Sequence, residues 1–203
     1  MTQCPLCFII MPFGKKVDPA GGPDIDFDLI YKNALEVAVR DAGMEPIRAD
    51  EERAGGIIHK AMFERLLLCD YAIADLTTAN ANVFYELGVR HTARPRTTLT
   101  IFAKHQPIAF DVNSLRSLPY GLGKNNAFRE QEASALRDQV ADKLRDLRNL
   151  TMEHAPIDSP VFTFLSEWVP GGMVKISLKT HNSVNKNKPG NVLFRHGSSR
   201  ITY

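Results

Sequence analysis

The feature that most restricts this chain is its alternation of short apolar runs with longer stretches whose apolar residues recur at helical spacing. Cys7 to Phe13 (CFIIMPF) is uniformly apolar, is closed by Gly14, and reads as a strand buried on both faces. From Asp26 the apolar positions Phe27, Ile30, Tyr31, Ala34, Val37 and Ala38 follow a helical period, and Gly43 supplies the stop. Met44 to Ile47 reads as a second strand. Ile57, Ile58, Ala61, Met62, Leu66 and Cys69 mark a second helix, and Tyr71 to Leu76 (YAIADL) a third strand. Val83 to His91 predicts a third helix, Thr97 to Ala103 a fourth strand, and Pro107 to Val112 a fifth, edge strand. Asn126 to Leu150 predicts a long amphipathic helix, with a last short helix around Val161 to Trp168.

Strand, helix and strand joined by short connections imply a parallel sheet covered on both faces. The expected fold is α/β, a flavodoxin-like (Rossmann-like) three-layer sandwich with C-terminal helices added. The order 2-1-3-4-5 suits its strand count. Ligands of such sheets lie beyond the carboxyl ends of the strands, at the switch point between strands one and three. That directs attention to three segments, residues 12–16, 48–53 and 75–86.

Composition bounds the alternatives. The chain has 203 residues, enough for one sizeable domain with or without an extension. Residues 171–203 hold six Lys or Arg and no Asp or Glu, a charge of +6, whereas residues 1–170 hold 19 basic and 23 acidic side chains, a charge of −4. Residues 1–168 are expected to form the domain, and 169–203 a basic tail or linker broken by Pro189 and Gly190. The near-neutral total argues against a dedicated nucleic-acid binder. No apolar run approaches the ~18 residues that cross a bilayer, so no membrane partner is expected. No basic leader precedes the first apolar run, and three cysteines (Cys4, Cys7, Cys69) make no disulfide framework. A cytoplasmic protein is expected.

The chemistry concentrates in residues 75–88. Asp75 falls near the carboxyl end of the third strand, Asn80 or Asn82 can cap the following helix, and Glu86 falls in one of its first two turns. Unpaired N–H groups at that helix end are expected to favour an ionised Glu86. Such a carboxylate can attack a sugar anomeric carbon and displace a nucleobase, as retaining glycosidases do, while Asp75 or Asp50 orients the sugar or handles a proton. Gly88 and Val89 are expected to let this helix pack close to the sheet. A plainer account is also open: Glu86 and Arg90 form an i, i+4 surface pair, and Asp75 and Asn82 cap a helix.

The run Ala74-Asp-Leu-Thr-Thr-Ala-Asn-Ala-Asn-Val-Phe-Tyr-Glu-Leu-Gly-Val-Arg-His91 resembles the signature of bacterial nucleoside 2-deoxyribosyltransferase-like domains, also described as TIR-like or nucleotide-binding. The opening Cys7-Phe-Ile-Ile-Met-Pro-Phe-Gly14, the Arg48-Ala-Asp-Glu51 segment and the region to about residue 120 share the likeness. The resemblance implies a flavodoxin-like fold, Glu86 of Glu86-Leu-Gly88 as nucleophile, Asp75 as its partner carboxylate, and a homo-oligomer. Asn80-Ala-Asn82 and the bulky Phe84-Tyr85 stand where the transferases carry small turns, and related TIR-like domains cleave NAD. A nucleoside, a nucleotide and NAD are therefore all open as ligands. The alternative is a non-catalytic nucleotide-sensing or signalling module, part of a larger regulatory or defence protein.

The remaining candidates bind rather than react. Pro12, Phe13, Gly14 and Lys15 lie at a strand end, where backbone amides and an ammonium can meet phosphate, although the run is not a Walker loop. Residues 14–25 read equally as a flexible lid or a surface loop. Arg48 and Asp50 can hold a ribose or phosphate, or pair with each other. Tyr31 reads as core, and His91 as a helix-end residue favourable to the dipole. Cys4-Pro-Leu-Cys7 precedes a strand and lacks a second ligand pair, and the six histidines show no ligand spacing, so neither metal nor cofactor is expected.

Overall fold

A computed structural model describes residues 4–49, 58–107, 117–150 and 154–167. Asp50 and most of the segment called as a fifth strand fall outside them. The chain divides into two units, Met1–Pro170 and Gly171–Tyr203, and the second, with the basic tail, also lies outside the described residues.

The strands are β1 (Leu6–Ile10), β2 (Lys15–Lys16), β3 (Ile25–Asp26), β4 (Glu45–Arg48), β5 (Tyr71–Asp75), β6 (Thr98–Ala103) and β7 (Leu118–Tyr120). Five of them form one sheet in the order β4-β1-β5-β6-β7. Every pairing in it is parallel, with Phe8 opposite Ile47 and Ala72, Ile73 opposite Leu99, and Phe102 opposite Pro119. Renumbered within this sheet, the order is 2-1-3-4-5, the flavodoxin-like arrangement. The helices are α1 (Phe27–Ile30), α2 (Glu36–Asp41), α3 (Ile58–Leu68), α4 (Ala81–Ala93), α5 (Glu130–Asn149) and α6 (Pro160–Phe164). The fifth strand is Leu118–Tyr120, later than the expected position, and Pro107 is not in a strand.

β1, β5 and β6 bury both faces, because alternate side chains enter different cores. Cys7, Ile9, Tyr71, Ile73, Leu99 and Ile101 point to one core. Phe8, Ile10, Ala72 and Ala74 point to the other. The first core is closed by α1, α2 and α5 through residues such as Phe27, Ala38, Leu136 and Val140, and the second by Leu66 of α3 and Val83 and Leu87 of α4.

The first helical stretch departs from the expected pattern. Its buried residues are Phe27, Ile30, Tyr31, Ala34, Leu35, Ala38 and Val39, while Val37 is half-buried. That repeat is four residues long, wider than an α-turn, and a π-helical segment at Tyr31–Leu35 between α1 and α2 accommodates it. Asp26 caps the start by accepting from Leu29 N at 3.1 Å. Gly43 ends the stretch at φ 73°, a left-handed conformation that favours glycine; the nearest atoms a Cβ there would meet belong to the movable Arg148 guanidinium.

Arg90 of α4 and Arg94, the residue that caps its end, hold the end of α3. Arg90 is 0% exposed and donates from Nη1 to Leu66 O (2.9 Å) and Cys69 O (2.7 Å), and from Nη2 to Asp70 O (3.3 Å). It also reaches Thr98 Oγ1 and Thr97 Oγ1, while Arg94 donates to Leu67 O and Leu68 O. The carbonyls left open at the carboxyl end of α3 thus receive charged donors from the neighbouring helix. Burial lowers the Arg90 pKa to about 10, and the side chain remains charged at neutral pH. Arg90→Met is expected to lose about 3 kcal/mol or more of stability, read as a lower urea midpoint at unchanged m-value.

Candidate functional site

The carboxyl ends of β1, β4, β5, β6 and β7 lie along one edge of the sheet, as parallel pairing requires. Asp75 ends β5 there, but its carboxyl is 1% exposed and points into a closed network. Tyr120 OH donates to Asp75 Oδ2 at 2.8 Å, and Thr77 meets Asp75 Oδ1 with its backbone N–H (3.0 Å) and its hydroxyl. The Thr77 and Tyr120 hydroxyls lie 2.9 Å apart, and Ala103 N–H donates to Thr77 Oγ1 at 3.0 Å. Burial pushes the Asp75 carboxyl up to about 6, against the pull of these donors. With Asp75 protonated the three groups can close a ring: Asp75 to Tyr120, Tyr120 to Thr77, and Thr77 back to Asp75. The carboxyl ends of β5, β6 and β7 are joined here. Asp75 does not cap α4 and does not face outward as a sugar-holding carboxylate would.

Asn80 is the cap of α4, accepting from Asn82 N at 3.0 Å and Val83 N at 3.3 Å. Asn82 is exposed in the first turn, and its backbone N–H, not its side chain, takes part in the cap. Glu86 lies in the second turn, half-buried, with no hydrogen-bond or ion-pair partner among the described residues. Burial alone pushes its carboxyl up to about 7. This corrects the expectation of a carboxylate held ionised by the helix end. The open N–H groups lie a turn earlier, and the Asn80 side chain already occupies two of them. The plainer surface pair with Arg90 is also overturned, because Arg90 is buried against the end of α3. Gly88 is exposed, and a Cβ there would meet nothing within 4 Å, so it does not serve close packing on the sheet.

At the other side of the switch point, Arg48 ends β4 and is nearly buried. It donates from Nη2 to Asp28 Oδ1 at 2.8 Å, and its guanidinium lies 4.4 Å from the centroid of the Tyr31 ring and 5.2 Å from that of Phe13. Asp28 also accepts from Gly14 N at 3.1 Å, and this bond, with Arg48 beside it, holds the Asp28 carboxyl below its usual range despite some burial. The Arg48 charge therefore partners Asp28, with Asp50 outside the described residues. The Gly14 amide, expected to meet phosphate, is already occupied. Pro12 is buried, Phe13 is 40% exposed at the edge, and Lys15 is exposed in the β2–β3 ladder opposite Asp26. Residues 14–26 form a hairpin whose base is the β2–β3 ladder, and all of residues 17–24 except Asp18 are exposed.

His91 is buried, and burial with the neighbouring Arg90 charge lowers its pKa to about 4. It is neutral at pH 7 and adds no positive charge to the helix end, contrary to expectation. Tyr31 is core, as expected. Cys7 and Cys69 are buried with thiols pushed up by desolvation, Cys69 to about 12, while Cys4 is exposed. Among the described residues no group of three His, Cys, Asp or Glu side chains is arranged to hold a metal ion, and no helix is long and apolar enough to cross a membrane.

The structure thus brings Phe13, Gly14 and Arg48 together, seals Asp75 away, and leaves Glu86 as a carboxyl without a charge partner among the described residues. Asp28, Thr77 and Tyr120 were missed from the sequence. Asp28 reads there only as a first-turn helix acid, and Tyr120 gains meaning only once a three-residue strand containing Pro119 is placed beside β6. Compared with protein-family models and with curated proteins, the chain matches none of them.

Tyr120→Phe is expected to cost about 1–3 kcal/mol by leaving Asp75 Oδ2 without its donor. The Asp75 pKa is raised from 3.8 to about 6 in the fold, so its contribution falls as pH rises through that window. The variant raises it further, and its stability deficit, measured by urea titration, is expected to grow between pH 5 and pH 8.

Proposed function

We propose that this chain binds a nucleoside, nucleotide or NAD at the carboxyl edge of the sheet, and that Glu86 cleaves or transfers at its N-glycosidic bond. The observation that carries the reading is Glu86 itself: a half-buried carboxyl, unpartnered among the described residues, on the helix that leaves the switch-point strand. The resemblance of residues 74–91 to deoxyribosyltransferase-like domains supports it. A carboxyl without an ion-pair partner is free to approach a substrate carbon.

In this reaction a Glu86 carboxylate oxygen attacks the anomeric carbon and the bond to the base nitrogen breaks. The bonding electron pair leaves with the base; a purine or pyrimidine then takes a proton from water, whereas nicotinamide leaves from NAD already neutral. Water or a second base then displaces Glu86 from the glycosyl ester, giving hydrolysis or transfer. Only ionised Glu86 attacks, so with its pKa near 7 the rate is expected to rise with pH through about 7 and then level. Asp75 serves as a positioning residue that fixes the end of β5, and Arg48 with Phe13 and Gly14 forms the neighbouring wall of the crevice.

The test is incubation with nucleosides, nucleotides and NAD, read by chromatography for released base. Glu86→Gln is expected to lower release at least ~1,000-fold with the fold retained. Because a carboxyl with raised pKa costs stability once it ionises, the same variant is expected to be more stable than wild type at pH 8 and not at pH 5. Sealed Asp75 favours the second reading, a nucleotide-sensing module within a larger regulatory or defence protein, since no second carboxylate faces Glu86 among the described contacts. That reading gains if no compound releases base and a nucleotide raises Tm. The expected homo-oligomer is part of the proposal and is read by light scattering.

A further inference from the structure

We propose that residues 14–26 are a strap across the carboxyl end of β5, latched by the Asp18 carboxylate with an Asn126–Pro23 bond beside it. The hairpin is anchored at its base, where Phe27 N donates to Gly14 O at 3.1 Å, Lys15 pairs with Asp26, and Ile25 is fully buried. Its far part is different. Of residues 17–24 only Asp18 is buried, at 5% exposure, and every other residue is exposed.

Asp18 gathers donors from three segments. Within the strap, Ala20 N donates to Oδ1 at 2.8 Å and Gly22 N to Oδ2 at 3.2 Å. From the connection after β6, Gln106 Nε2 donates to Oδ1 at 2.7 Å. From the connection after β7, Asn126 Nδ2 donates to Oδ2 at 2.8 Å and also to Pro23 O at 2.7 Å. Asn126 is held at φ 54°, a left-handed conformation that its surroundings must maintain.

The path of the strap follows from topology. It leaves the end of β1 and is fastened to segments that follow β6 and β7, and β5 lies between β1 and β6 in the sheet. It therefore passes the end of β5, from which the turn from Asp75 to Asn80 leads into α4. In that turn Thr78 Oγ1 is buried and has no hydrogen-bond partner among the described residues. A ligand entering at the switch point has to pass this strap, whose exposed part is joined to the segments after β6 and β7 by the Asp18 carboxylate and by the Asn126–Pro23 O bond. The gate rests on the reading of the carboxyl edge as a binding site.

The test compares wild type, Asp18→Ala and Asp18→Asn by two measurements on the full chain. Asp18→Asn keeps the shape but turns one oxygen into an N–H donor facing donors from Gln106 or Asn126. Amide hydrogen exchange over residues 15–25 is expected to accelerate about tenfold or more in both variants, with the amides of β1 and β5 unchanged. Modification of Glu86 by a water-soluble carbodiimide and glycine ethyl ester, read by mass spectrometry, is expected to accelerate with it. Unchanged exchange in the strap, or equal loosening of the sheet, overturns the latch. Faster strap exchange without faster Glu86 modification overturns the gate. A wild type inactive toward every compound defeats the catalytic reading alone, and leaves both measurements standing.

Discussion

The bond from Tyr120 to Asp75 sets the carboxyl edge of the sheet. A carboxyl so deeply buried is costly unless its oxygens are met, and Thr77 and Tyr120 meet both. Tyr120 belongs to the last strand of the sheet and Asp75 to the middle one, so the bond spans β6, whose Ala103 N–H is drawn in through Thr77. The turn after β5, the cap at Asn80 and the direction in which α4 leaves are fixed from this point. Glu86 inherits its place from that chain of constraints.

On the other side of β1, a second buried charge performs the comparable task by different chemistry. Arg48 lies against Tyr31 and Phe13 while Asp28 ties it to the Gly14 amide. The guanidinium is matched both by an ion pair and by aromatic faces, which suits its burial better than an ammonium would. The π-helical turn beginning at Tyr31 keeps that ring on the core side and within reach of Arg48. The carboxyl edge thus has a buried cation at the end of β4 and a neutralisable buried acid at the end of β5.

Much of this fold is legible in the sequence, because buried parallel strands and amphipathic helices each write a periodic pattern. The runs at Cys7, Tyr71 and Thr97 mark three strands, and the pattern from Asp26 marks the first helical stretch. Leu118–Tyr120 is hidden because three residues with a proline carry no period. The candidate site is less legible. Glu86 and Asp75 stand out as residue types, but whether a carboxyl faces outward or inward is decided by residues remote in sequence. Asp75 is sealed by a tyrosine 45 positions later, and Asp18 is tied to an asparagine 108 positions later. Arg90 shows the same limit. Its spacing from Glu86 suggests a surface pair, while the carbonyls it serves belong to another helix.

The closed network around Asp75 also bears on how such a domain can change through descent. Losing Tyr120 alone strands a buried acid, and losing Asp75 alone strands a phenol and a threonine hydroxyl. Replacing the group together by apolar side chains of matching shape removes the need for any of those bonds. Asp75, Thr77 and Tyr120 are thus bound to be inherited or lost as a set. Glu86, which no neighbour among the described residues depends on for a bond, is held in place by no such demand of the fold.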